Sequence, residues 1–293
     1  MYKSTKFGLL VFILLALSAC TAAEYLIKRA INNFEGEFVK NFNQLAEFTP
    51  AQTSAIESLA SDTDQWMRKD RLTVVNSLTL LLAADVEQYG QIKSSHWDSV
   101  VNFLNSGLAL SQAPDLVNQY AQFTMSLTEE QVAQVLKSFD DELNDSLKKS
   151  EDRTVEKQNE RIVDGLKWMF RAIGCPLTRK QKTFAKDFLK DRRVDFEYQR
   201  QIQIEETNEL SEIVKSAQIM TQEQVYDLSL EFFKKVENTK SVPRQEDFQH
   251  NVDLLLQLIN FFLADLNEKE RTKAAIKMRD YATIFSKLSN QEQ

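Results

Sequence analysis

The sequence predicts an all-α protein, and three observations carry that expectation. The 293 residues include only 6 Gly and 4 Pro, about 3% of the chain, against roughly 12% in average proteins. Sheet turns and the phosphate-cradling loops of Rossmann and P-loop proteins both demand more glycine. No stretch alternates apolar and polar residues for long enough to read as a strand. Helix-capping patterns stand instead wherever the apolar periodicity breaks. With 27% charged and 43% hydrophobic residues, 19 of them Phe, the composition is not that of a disordered chain.

Residues 1–19 are set apart from the fold. Lys3 and Lys6 lead into the apolar run Leu9 to Leu17, too short to span a bilayer and the right length for the apolar region of a secretory signal. The run ends in Leu17-Ser18-Ala19-Cys20, which resembles the lipobox of bacterial lipoproteins. The resemblance implies cleavage between Ala19 and Cys20, lipidation of the Cys20 thiol with palmitate-type chains, and acylation of the new amino terminus. Each buried methylene is worth ~0.8 kcal/mol and two chains already anchor stably, so three would hold the protein on a membrane permanently. Thr21, not Asp, follows Cys20. Under Gram-negative lipoprotein sorting this implies the periplasmic face of the outer membrane.

Without residues 1–19 the remaining 274 residues carry 34 positive and 43 negative side chains, a net −9. That balance argues against nucleic acid, whose affinity rests on neutralised phosphates. It also argues against peripheral adhesion to anionic lipid.

The helices are expected at about 23–46, 50–69, 72–88, 96–109, 114–125, 129–173, 179–217, 222–238, 244–264 and 268–287, some of them merging to leave eight or nine. The prolines Pro50, Pro114, Pro176 and Pro243 are read as helix starts, where a fixed φ and a missing donor are harmless. Gly90, Gly107 and Gly174 fall near helix ends. Four breaks carry one pattern of apolar residue, Thr, two variable residues and Gln: Phe48 with Thr49 and Gln52, Leu127 with Thr128 and Gln131, Leu177 with Thr178 and Gln181, Met220 with Thr221 and Gln224. In such a capping box the Thr hydroxyl accepts from the N–H three residues on, while the Gln side chain returns to the Thr N–H. The hydrophobic staple is complete at Val132 and Val225. Weaker variants stand at Ile92, Ser95 and Asp98, and at Leu266, Asn267 and Glu270, the last with Asn as cap. The caps at Thr128, Thr178, Thr221 and Asn267 recur every 43 to 50 residues, too divergently for a solenoid.

The central stretch is the most distinctive. Lys148 to Arg161 holds one apolar residue, Val155, among five basic and four acidic ones, and so reads as a solvated arm or a disordered segment. Lys190 to Glu209 is a second charged run. Folded antiparallel about Gly174 to Leu177, the two runs lie side by side. The expected molecule is elongated, with a long central helical hairpin at about 129–217 whose arms of around forty residues each would reach about 60 Å. It lies between an N-terminal helical part, 20–128, and a C-terminal one, 218–293.

Catalytic patterns are mostly missing from the sequence. The two histidines, His96 and His250, form no His-Glu-x-x-His zinc pair, and there is no Gly-x-Ser-x-Gly elbow. Asp247 and His250 are three apart on a predicted helix, but Lys93 occupies the place three before His96 where a di-iron bundle needs its second carboxylate. No enzyme activity, metal or cofactor is expected. Besides Cys20 the only cysteine is Cys175, in Ile173-Gly174-Cys175-Pro176. It is read as a buried or partly buried spacer, with a reactive thiol as the alternative. Arg193 to Tyr198 loosely resembles the signature of membrane-anchored lipase foldases, without its downstream continuation.

Two resemblances rest on these residues. The segment from Tyr25 to about Leu82, with its Thr49 cap and Trp66 followed by Arg68, Lys69 and Arg71 before an apolar run, resembles the start of a family of uncharacterised Gram-negative lipoproteins. Met67 departs from that pattern, where a His is usual. The four apolar-Thr-x-x-Gln caps resemble those of the Spy and CpxP periplasmic proteins, which are ATP-independent chaperones and envelope-stress modulators, smaller and without a lipid anchor. The lipoprotein resemblance implies no activity; the anchor and the missing catalytic patterns together point to a lipid-anchored periplasmic binding protein, holding a protein client or envelope component on a Phe-rich face or on the charged hairpin. A structural lipoprotein bracing an outer-membrane machine and a Spy-like chaperone are the alternatives.

Overall fold

Twelve α-helices and no strand form among the described residues, 28–237 and 245–290 of the computed structural model. In chain order they are α1 (Phe34–Phe42), α2 (Pro50–Trp66), α3 (Leu72–Tyr89), α4 (Ser94–Ser106), α5 (Pro114–Met125), α6 (Glu129–Glu151), α7 (Val155–Ala172), α8 (Arg179–Phe188), α9 (Phe196–Ser216), α10 (Gln222–Glu237), α11 (Gln245–Ala264) and α12 (Glu268–Ser289). Pro243 lies outside the described residues. Pro50 and Pro114 each sit in the first turn of a helix. Pro176 does not: α8 begins at Arg179 behind the Thr178 cap. The weak cap at Ser95 is also not used, because α4 starts at Ser94 behind Lys93 without a side-chain cap bond.

Two helices expected to be separate, 50–69 and 72–88, are one. The chain stays helical from Pro50 to Tyr89 through a π turn at Met67–Arg71, where the Leu72 N–H reaches Met67 O. The fivefold step inserts one residue, which turns the following face by about 100° relative to a regular α-helix. The helix stops at Gly90, whose φ of 62° places it in the left-handed region that glycine tolerates best.

The long hairpin is corrected in two respects. Its arms pair α6 against α9 and α7 against α8, antiparallel, since Gln218 after α9 reaches Leu127 before α6 and Lys186 late in α8 reaches Glu160 early in α7, but neither arm is a single helix. The first breaks at Asp152, and Thr154 caps α7 by accepting from Lys157 N–H. The second turns through a 3₁₀ turn, Leu189–Asp191, and an extended Arg192 before Asp195 caps α9 by accepting from Tyr198 N–H. The breaks face each other: Asn159 Nδ2 donates to Leu189 O at 2.8 Å and Arg192 Nη1 donates to Asn159 Oδ1 at 2.8 Å. The foldase-like stretch Arg193 to Tyr198 is therefore a capped helix start. With α6, 23 residues, the longest arm helix runs about 35 Å, not 60 Å.

The hairpin tip is not a free arm either. Ile173, Cys175 and Leu177 are buried in the largest core cluster together with Phe170, Leu258, Phe262, Ala274 and Met278. That cluster joins α3, α4, α7, α8, α11 and α12, so the first and last parts of the chain share a core, and α12 lies along α3. A second cluster joins α2, α5, α9 and α10 around Phe232 and Val225. Apolar area removed from water is worth roughly 25 cal/mol per Å², which explains why the tip, apolar between its charged flanks, is driven inward.

Candidate functional site

Ala19 and Cys20, the signal-cleavage and lipid-attachment residues read from the sequence, lie outside the described residues. The capping residues are all described. Thr49, Thr128 and Thr178 each close a reciprocal box with Gln52, Gln131 and Gln181. At the fourth, Thr221 N–H donates to Gln224 Oε1 at 2.9 Å and Gln224 N–H to Thr221 Oγ1 at 3.4 Å. Asn267 and Glu270 form a fifth box.

Two of these boxes do more than start helices. Gln52 and Gln131 are 8% and 6% exposed, and their amides face each other across the chain. Gln52 Nε2 donates to Gln131 Oε1 at 2.9 Å, and Gln131 Nε2 donates to Gln52 Oε1 at 2.7 Å. The second amide hydrogen of Gln52 goes to Ser126 O, and that of Gln131 goes to Glu47 O, both at 2.8 Å. Ser126 and Glu47 each stand two residues before the capping Thr of the opposite box, so the junction has an internal twofold character. Each Oε1 also accepts its own Thr N–H at 3.0 Å. Every donor and acceptor of both amides is thereby used. Phe48 and Phe123 meet edge to face beside the junction. Gln181, by contrast, reaches Asp265 Oδ2 at 2.9 Å on the surface, and Gln224 is exposed.

A second buried polar cluster sits at the π turn. Asp64 and Arg68 are 0% and 5% exposed and pair at 2.5 Å through Arg68 Nε. Arg68 Nη2 also donates to Ile31 O at 3.3 Å and Asn32 Oδ1 at 3.4 Å, tying down the chain that leads into α1. Arg71 closes the other side. Its Nη2 donates to Phe103 O, Ser106 Oγ and Gly107 O at 3.1, 2.7 and 2.8 Å, and its guanidinium lies 4.1 Å over the Phe103 ring. It thus serves the last carbonyls of α4, where a cation also complements the helix dipole. Trp66 Nε1 donates to Leu108 O at 3.0 Å. The aromatic-basic motif Trp66, Arg68 and Arg71 is consequently an internal brace; Lys69 alone of its basic residues faces solvent. Burial raises the Asp64 carboxyl above its ordinary value, and Arg68 opposes that rise.

The two histidines serve separate joints. His96 Nδ1 meets Asp85 Oδ2 at 2.7 Å, and the same oxygen accepts Lys93 N–H at 3.0 Å, closing the turn after α3. His250 Nε2 meets Asp191 O at 2.9 Å, while Asp247 pairs with Arg193 at 3.2 Å and Asn251 exchanges two bonds with the Arg193 backbone. Asp247 and His250 therefore hold the elbow between α8 and α9. No three His, Cys, Asp or Glu side chains converge among the described residues in a way that could hold a metal ion.

Cys175 is buried, and its thiol donates toward Glu270 O at 3.7 Å. Burial, then the nearby Glu270, pushes its ionisation upward, whereas reactive cysteines need a lowered value and access. A thiol reagent at pH 8 is expected to label Cys175 at least tenfold more slowly in the native chain than in denaturant; equal rates would show an open site.

Asp64 and Arg68 were visible in the sequence as an i, i+4 pair of opposite charge. The same spacing occurs on many solvated faces, so only their burial singles them out. Comparison of the chain with models of protein families, with curated proteins and with solved structures finds no match.

Proposed function

We propose that this chain is a lipid-anchored helical binding protein of the cell envelope, held through Cys20 on the periplasmic face of the outer membrane, where it engages a protein client or envelope component. The observation that carries the reading is Leu17-Ser18-Ala19-Cys20 behind a basic and apolar leader. An all-α body made of capped helices is consistent with a scaffold that presents surfaces rather than a reactive centre. The surfaces available differ from those expected from the sequence. Of the phenylalanines, Phe184 and Phe261 are the large exposed ones among the described residues, and the hairpin tip lies in the core. The Thr-x-x-Gln motifs do not by themselves favour a chaperone, since capping accounts for each of them.

The test is the anchor. Mass spectrometry of the amino-terminal peptide is expected to show acyl chains on Cys20, and Cys20→Ala is expected to move the protein out of the membrane fraction. An unmodified Cys20, or a variant that stays membrane-bound to the same extent, would reject the reading. Cross-linking in intact envelopes is then expected to return a saturable partner that the variant loses.

A further inference from the structure

A chain acidic overall carries a basic, partly apolar surface on α8, just past the buried hairpin tip. From Arg179 to Arg193 there are seven basic and two acidic side chains. Several of these are committed: Lys186 pairs with Glu160, Lys190 with Asp187 and Arg193 with Asp247. Arg179, Lys180 and Lys182, in the first turn of α8, form no ion pair among the described residues. They crowd the positive end of the helix dipole, where cations are disfavoured. An arrangement that costs stability without a partner gains from an anion brought to it.

The first turn of α8 is fixed beside the turn from α11 to α12 by Gln181 and Asp265. One turn further on, Phe184 stacks on Phe261 with ring centroids 4.4 Å apart, although both rings remain 38% and 45% exposed. Lys273 Nζ donates to Gly174 O at 3.3 Å, which joins the tip to the start of α12. There Glu268, Lys269, Lys273, Ile276 and Lys277, the last paired with Asp280 at 3.5 Å, line an open hollow of about 550 Å³, and Ile276 is 50% exposed.

We propose that this surface rests on an anionic phospholipid bilayer. Exposed aromatic and aliphatic side chains among cations match the interfacial zone of a membrane, where rings and lysine stems enter the boundary region and the charges meet phosphates. The uncommitted cations are mostly lysines, which protein interfaces disfavour in their cores in exchange for arginine. Net charge gave the opposite expectation because it averages over the chain, while the field near a bilayer decays within about 10 Å and so depends on the nearest side chains.

The anchored reading supplies the geometry. Ile31 packs in one cluster with Phe285 and Leu288 at the far end of α12. Residues 28–31 are already helical, so the tether is the eight residues from Cys20 to Lys28, which can extend at most about 29 Å. Lys273 and Leu288 are only about 22 Å apart along α12. The tether is therefore long enough for the anchor and this surface to share one membrane. The surface interaction rests on the anchored reading for its location only, and its chemistry is tested without lipid on the protein.

The experiment is co-sedimentation of the chain carrying Cys20→Ser with vesicles of phosphatidylethanolamine and phosphatidylglycerol, or of neutral phosphatidylcholine. Binding is expected to favour the anionic vesicles and to weaken with added salt. Each cation near such a surface is worth about fivefold in affinity, so Arg179→Glu/Lys180→Glu/Lys182→Glu is expected to reduce the anionic preference at least tenfold. Phe184→Ser is expected to reduce binding to both vesicle types, while Lys148→Glu/Lys149→Glu, on α6, leaves binding unchanged. Circular dichroism and Tm establish that each variant folds. No preference for anionic vesicles, or a preference that survives the triple reversal in folded protein, overturns the proposal. So does a surface that ignores vesicles but loses an acidic protein partner in the triple variant. Absence of acyl chains on native Cys20 would remove the anchor without altering any of these vesicle results.

Discussion

Arg68→Ala is expected to destabilise the protein by about 3–5 kcal/mol, the usual consequence of leaving one member of a buried ion pair without its partner, and to lower Tm by roughly 10 °C. Asp64 has no exposed surface, and Arg68 also carries the bonds to Ile31 O and Asn32 Oδ1. Both losses fall on the same variant. Arg68→Lys keeps the charge without the planar fork and is expected to lie between the two. In Asp64→Asn/Arg68→Met, which removes both charges, part of the lost stability is expected to return. Equal destabilisation by the single and double variants would show that the ion pair is not the source.

The pH dependence has a definite sign. Burial already holds the Asp64 carboxyl above its ordinary value against the pull of Arg68, and removal of the cation raises it further. A group whose folded-state pKa is raised contributes its full stability below the unfolded value, about 3.9, and loses it as pH rises through the folded value. The deficit of Arg68→Ala relative to the unaltered chain is therefore expected to be larger at pH 7 than at pH 4. Urea denaturation at the two pH values measures it; a deficit that grows toward acid would contradict the assignment.

The paired capping boxes give the second large effect. Gln131→Leu removes the acceptor for Thr128 N–H, the donor to Glu47 O and both bonds to the Gln52 amide. Stranded buried polar groups cost about 1–3 kcal/mol each before relaxation, so a net loss of about 3 kcal/mol is expected. Gln224→Leu removes the equivalent cap from an exposed box, where water replaces it, and is expected to cost less than about 1 kcal/mol. A double-mutant cycle sharpens the comparison. Gln52→Leu/Gln131→Leu is expected to cost about 1–2 kcal/mol less than the sum of its singles, because either substitution alone already strands the opposite amide. Additive losses would mean that the two boxes act independently.

The four boxes also show how far sequence reading reaches. Thr and Gln three apart behind an apolar residue is a local signal, and the bonds it specifies are local, so all four were legible. What the motif does beyond capping was not. Gln52 and Gln131 are 79 positions apart, and Gln224 has the same sequence signature without the burial. The breaks within the hairpin arms were missed for a related reason: Thr154 and Asp195 are ordinary N-caps, but they stand inside charged runs that look like continuous helix. Docking on α11 through Asp247, His250 and Asn251 holds the second break open, and no local pattern encodes that contact.

By itself the sequence determined the helical class, most helix boundaries, the antiparallel course of the central hairpin and the Leu-Ser-Ala-Cys motif on which the anchor proposal rests. Those follow from backbone chemistry within a few residues: where an N–H lacks a carbonyl, where glycine must take a positive φ, where an apolar run is too short to span a bilayer. Only the tertiary structure decided which polar residues are buried and that the hairpin tip belongs to the core. Burial depends on residues far apart in sequence meeting in space, and a one-dimensional pattern carries no measure of that.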